Sequence, residues 1–195
     1  MRTLSADDPT LRDPGERADL EALLSSYRPA DERDGRERER MLAFLERHPD
    51  ALERTCAEGH FTGSALVLDA ERRRVLLTHH RKLGRWLQLG GHADGDGNLP
   101  RVALRESIEE SGIATLTIDP NPIDLDIHRI PARPGEPAHL HLDLRFLVHA
   151  PANAREAISE ESLELAWFDP AEAAALDLDE SVHRLLRFAF AAPGT

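Results

Sequence analysis

Three glutamates, Glu106, Glu109 and Glu110, lie three and four residues apart in the segment Arg105-Glu106-Ser107-Ile108-Glu109-Glu110-Ser111-Gly112-Ile113. If the segment is helical, they crowd one face within an arc of about 100°. Ala103, Leu104 and Ile108 then turn toward a core. Gly112 suits the left-handed residue that ends a helix, so the acids sit near the negative end of the helix dipole, where they repel each other and the dipole. Arg105 offsets part of this cost. A divalent cation offsets it fully, and Mg²⁺ (or Mn²⁺) takes oxygen ligands of this kind. The chemistry expected of such a cluster is stabilisation of charge on phosphoryl oxygens and activation of a water. A merely solvated acidic face is the plain alternative.

With Gly90-Gly91-His92 ahead of it, the segment resembles the signature of the Nudix hydrolases, G-x5-E-x7-R-E-U-x-E-E-x-G-U, where U is a bulky apolar residue. Gly91, Arg105, Glu106, Glu109, Glu110 and Gly112 fall on fixed positions, and Ile113 on the last apolar one. Two positions depart: the early glutamate is Gly97, with Asp94 and Asp96 close by, and the first U is Ser107. Gly97 bears on the geometry of the loop, and Ser107 suggests close packing of the helix on its neighbour.

The resemblance implies a metal-dependent enzyme that cleaves a pyrophosphate bond in a nucleoside diphosphate linked to another group, or in a related organic pyrophosphate. It implies Glu106, Glu109 and Glu110 as metal ligands together with the backbone carbonyl of Gly90. Arg105 would orient a carboxylate through a charge-assisted bond. A further base in such enzymes often comes from a loop near the last strand, and Glu161 is the choice among Glu160, Glu161 and Glu164. Two rivals have the same fold. An isopentenyl diphosphate isomerase needs a catalytic cysteine, and Cys56 lacks that context. A non-catalytic ligand-binding module usually loses signature carboxylates, and this chain keeps all three.

The elements that must position these groups follow from periodicity. Residues 1–55 read as a polar N-terminal helical extension: two helices around the charged connector Asp31–Arg40, packing on the domain or on a partner in a homodimer. Residues 56–195 read as the Nudix domain, an α/β/α sandwich with a mixed sheet. Ser64–Leu68 and Arg74–Thr78 form a hairpin, and Arg85–Leu89 is a strand running into Gly90-Gly91. Asp96 or Asn98 caps the acidic helix, with Pro100 in its first turn. Strands are expected near Leu116–Ile118 and at Asp124–Ile130, His139–Val148 and Leu163–Phe168. Helices follow from Pro170 and over Asp179–Phe190. On the strand from His139, alternation sets His139, His141, Asp143 and Arg145 on one face. Arg145 is expected to meet a substrate phosphate, and His141 and His92 to contact substrate. A separate His-His-Asp metal site on this strand is a weaker reading than the oxygen cluster.

The net charge of −12 among 195 residues argues against binding to duplex nucleic acid or to an anionic membrane surface. It leaves open a small phosphorylated substrate bridged by metal. Cys56 is the single cysteine, which points to a reducing compartment. The segment from Met1 has no apolar signal core, so the cytoplasm is the expected location.

Overall fold

The computed structural model describes residues 2–81, 83–157 and 162–191. A short strand, β1 (Leu4–Ser5), leads into α1 (Pro9–Arg12), α2 (Arg17–Ser26) and α3 (Glu32–Arg47). Next come β2 (Gly59–Leu68), β3 (Val75–His80), β4 (Arg85–Leu87) and β5 (Leu89–His92). The acidic helix α4 (Leu99–Ser111) precedes β6 (Thr117–Ile118), β7 (Asp124–Ile130), β8 (His139–His149) and β9 (Ser162–Phe168). Helices α5 (Pro170–Ala175) and α6 (Glu180–Ala191) close the chain. None of the described helices is long and apolar enough to cross a membrane.

The strands form one mixed sheet in the order β1-β6-β8-β2-β3-β4, with β5 on β2, β7 on β8 and β9 on β3. The central strand β2 runs parallel to β8 along its whole length and antiparallel to β3 and β5. Its pleat divides the molecule. Phe61, Ala65 and Val67 pack into a core that they share with α2, α3 and α4, whereas Leu66 and Leu68 pack with α5 and α6. The result is the expected three-layer arrangement, helix–sheet–helix.

The N-terminal segment is woven into the larger of these cores. Leu20, Leu24, Met41, Phe44 and Leu45 belong to the same buried cluster as Phe61 and Val102, and β1 pairs with β6. The charged run from Asp31 is not a connector but most of α3. The Asp31 side chain accepts the Asp34 amide and caps the helix. The Glu and Arg residues that follow are strong helix formers, and Arg40 pairs with Glu37 one turn away.

Candidate active site

Helix α4 begins at the cap Asn98, with Pro100 in its first turn, and ends at Gly112 with φ 69°. It lies very close to β2. A Cβ on Gly63 would come within 2.9 Å of the Leu99 carbonyl. On α4 itself, buried Ser107 turns its hydroxyl back to the Ala103 carbonyl, at 2.7 Å. A bulky apolar side chain is thus replaced by a small one that satisfies its own polar atom.

This approach sets Glu106 against the glycine pair. The Glu106 carboxyl rests on Gly91 so closely that any side chain there would overlap it. The amide of Gly90 points toward the Glu110 carboxylate at 3.3 Å, and Gly90 has φ 154°, a conformation that glycine tolerates. Arg105 donates to Glu106 at 2.7 Å. Burial pushes the Glu106 carboxyl above its usual range, with Arg105 opposing and Glu109 adding to the shift. Burial disfavours the charged form of Arg105 in turn, but the bond to Glu106 and the charges of both glutamates carry its pKa upward. Glu109 is the exposed member of the three. Half-buried, like-charged oxygens beside a bare backbone form a donor set that fits a hard divalent cation. Glu161 lies outside the described residues.

The loop before α4 shows why position 97 is a glycine. Gly97 has no room for any side chain, because the Glu16 carbonyl occupies the place of its Cβ. Asp96, buried beside it, accepts the amides of Gly15 at 2.8 Å and Asn98 at 2.9 Å, and Arg101 donates to its other oxygen. Asp96 and the N-terminal segment therefore hold this loop.

The polar face of β8 is shared as expected, but it is not an exposed substrate wall. Arg145 is 1% exposed and all five of its N–H groups are engaged. They reach Asp143, Asp124, Asp126 and both the carbonyl and hydroxyl of Ser181 on α6, at 3.0–3.3 Å. Arg33 from α3 and Arg184 from α6 also bind Asp124 and Asp126. Arg145 is therefore the centre of a buried ion network and has no donor left for a phosphate, which corrects the expectation for that residue.

His92 and His141 also lie away from the acids. Gly91 pairs with Gly63 on the α4 face, so the next pair, His92 with Thr62, faces the other way, as does His60 with His141. The two histidines join His60, His128 and His139 in a cluster instead. His92 and His141, the residues expected to contact substrate, thus face away from the acidic helix. Burial, reinforced by the cost of charging one imidazole beside another and, for His60 and His92, by Arg54, lowers His60 and His92 to about 4 and His141 to about 2, so these three rings are uncharged at neutral pH. His60 was not legible as a site residue. The signal that could have found it is the alternation His60-x-Thr62-x-Ser64, matching that of β8.

A mixed sheet between two helical layers, with an acid-bearing helix laid across a glycine pair, defines a class of fold and site. The NUDIX domain model matches residues 60–188, and the chain belongs to the Nudix family of hydrolases. Solved structures agree in fold. An Ap4A hydrolase binary complex from C. elegans is 19% identical, with a TM-score of 0.56, covering 67% of this chain and 95% of that one. A NUDIX-family hydrolase from Clostridium perfringens is 22% identical, with a TM-score of 0.53 and coverage of 67% and 95%. The E. coli dihydroneopterin triphosphate pyrophosphohydrolase is 23% identical, with a TM-score of 0.54 and coverage of 68% and 96%. No curated protein gives a significant sequence match.

Proposed function

We propose that this protein hydrolyses a pyrophosphate bond in a nucleoside diphosphate linked to another group, or in a related organic pyrophosphate, with Mg²⁺ (or Mn²⁺) held by Glu106, Glu109, Glu110 and the carbonyl of Gly90. The observation that carries this reading is the seating of the Glu106 carboxyl on Gly91 while Glu110 approaches Gly90. Bound metal would neutralise charge on the phosphoryl oxygens and lower the pKa of an attacking water. Arg105 fixes one oxygen of Glu106 and so limits its rotation. Asp96 holds the preceding loop and the start of α4 in place. Glu161 is the proposed proton acceptor from water. The family membership and the solved pyrophosphohydrolases of the same fold support the reaction class. The medium is proposed to be the cytoplasm.

A panel of nucleotide sugars, dinucleoside polyphosphates, ADP-ribose, nucleoside triphosphates and coenzyme A, assayed with Mg²⁺ and with chelator, tests the proposal. Turnover on one class that chelator abolishes, and that falls about 100-fold or more in Glu109→Gln, is the expected result. Turnover indifferent to both chelator and substitution would sink it.

A further inference from the structure

The histidine cluster on the far side of the sheet has a physical problem that the hydrolase reading leaves unsolved. His60 is 3% exposed, and neither of its ring nitrogens has a hydrogen-bond partner. A neutral imidazole carries one donor and one acceptor. Leaving both dry is costly, and native proteins seldom do so without a reason. The Nδ1 of His139 lies 2.9 Å from the Pro137 carbonyl, which can only accept, so Nδ1 carries a proton. Its Nε2 is buried without a hydrogen bond, the nearest carboxylate oxygen, from Glu136, lying 3.8 Å away. Buried ring nitrogens without hydrogen bonds are therefore gathered here.

The arrangement of the rings supplies the solution. The ring centroids of His60, His92 and His141 form a nearly equilateral triangle with sides of 5.0, 4.9 and 5.0 Å. One nitrogen from each lies within 4.8 Å of the other two. They come from three adjacent strands, β5, β2 and β8, held in register by backbone pairing. Metal–nitrogen bonds of about 2.0 Å require each ring to close in by less than about 1 Å, which side-chain rotation supplies. We propose that His60, His92 and His141 form a binding site for one divalent transition-metal ion of the zinc class, on the sheet face opposite the acidic helix.

Ligand chemistry selects that class. Imidazole suits zinc, cobalt, nickel and copper, whereas Mg²⁺ and Ca²⁺ take oxygen. The site therefore differs from the proposed carboxylate site in both place and preference. Three protein ligands leave a tetrahedral ion with a fourth position, and His139 stands beside it, its ring 4.9 Å from that of His60 and 5.3 Å from that of His141. The hydrogen bond of His139 to Pro137 is of the kind that orients a ligating imidazole.

The test uses the metal-stripped full chain titrated with Co²⁺ in excess Mg²⁺, so that the oxygen site is filled. One equivalent of Co²⁺ should bind with the visible absorption of a nitrogen-ligated, low-symmetry ion, and one equivalent of Zn²⁺ should displace it. His60→Gln and His141→Gln should each weaken binding by about 100-fold or more, while Glu109→Gln should leave it unchanged. Circular dichroism checks that the variants fold. Should they fail to, zinc-edge X-ray absorption on the wild-type protein decides, and three imidazoles in the first shell are expected. Binding unaffected by either histidine change, or a zinc shell without imidazoles, would overturn the site. So would a sulfur charge-transfer band lost in Cys56→Ser, because it would move the ion to the alternative trio of His48, Asp50 and Cys56.

Discussion

The amide of Gly97 donates to the carbonyl of Gly15 at 2.8 Å, joining the N-terminal segment to the loop that precedes the acidic helix. Each of the two residues is held so close to the other segment that neither can carry a side chain: a Cβ on Gly15 would lie 2.6 Å from the Asn98 amide nitrogen. The N-terminal residues are thus part of the scaffold of the site rather than an appendage to it.

Gly97→Glu restores the residue that the family signature has at this position, and here it should do harm. The new side chain would have to displace the Glu16 carbonyl. A loss of stability of roughly 1–3 kcal/mol is expected from such overpacking, together with reduced turnover. Denaturant unfolding measures the first. A variant as stable as wild type would show that the segment can move aside freely.

Metal binding to the carboxylates should be visible as thermal stabilisation, because an ion that binds only the folded chain favours it. Saturating Mg²⁺ should raise the melting temperature by a few degrees, and Glu110→Gln should lose most of that gain. Equal shifts in the two proteins would remove Glu110 from the ligand set.

Arg145→Met keeps much of the side-chain volume but leaves Asp124, Asp126 and Asp143 facing one another without their central cation. Removing one partner of a buried ion network costs about 3–5 kcal/mol. Urea unfolding should show a loss of that order. Any protein that still folds should keep its KM, since no donor of Arg145 is available to substrate. A raised KM with unchanged stability would return Arg145 to the substrate site.

Acid should act through Asp126. Burial would raise its carboxyl, but the bond with His128 and the charges of Arg145 and Arg184 hold it well below its ordinary value of 3.8. The unfolded chain therefore takes up this proton first as pH falls. Asp126 stabilises the fold above about pH 4, and that contribution drains away below it. Burial outweighs the guanidinium groups at Asp124 and pushes that carboxyl upward, so the acid loss follows Asp126. Asp126→Asn should be less stable at neutral pH and lose stability less steeply between about pH 4 and pH 2. Parallel pH profiles for the two proteins would count against this assignment.

The elements whose signals are local were legible in the sequence. Strand β7 runs over Asp124–Ile130 and β8 starts at His139, as the alternation indicates. The cap at Asn98 and the stop at Gly112 bracket α4 as their residue types require. The missed features depend on partners far away in the chain. Nothing near Gly97 announces the Glu16 carbonyl, and Arg145 looks available until β7, α3 and α6 converge on it. The charged start of α3 hides its helix because the run from Asp31 to Arg40 carries no apolar periodicity, and the cap at Asp31 shows where the helix begins. His60 escapes notice because the apolar run of the hairpin begins only after Ser64.

Alternation along β2 gives the chain an asymmetric tolerance to change. One face of the strand carries His60, Thr62 and Ser64, and the other carries Phe61, Gly63 and Ala65. Side chains reverse sides at every residue, so inserting or deleting one residue between His60 and Ser64 would turn the strand beyond the change to its opposite face, setting polar side chains against α4 and apolar ones against the histidines and hydroxyls. A point substitution in this stretch disturbs one face, whereas a change in its length disturbs both. Variation in length among related chains should therefore accumulate in turns such as Asp69–Arg74 and Pro131–Pro137, leaving the spacing from His60 to Ser64 fixed.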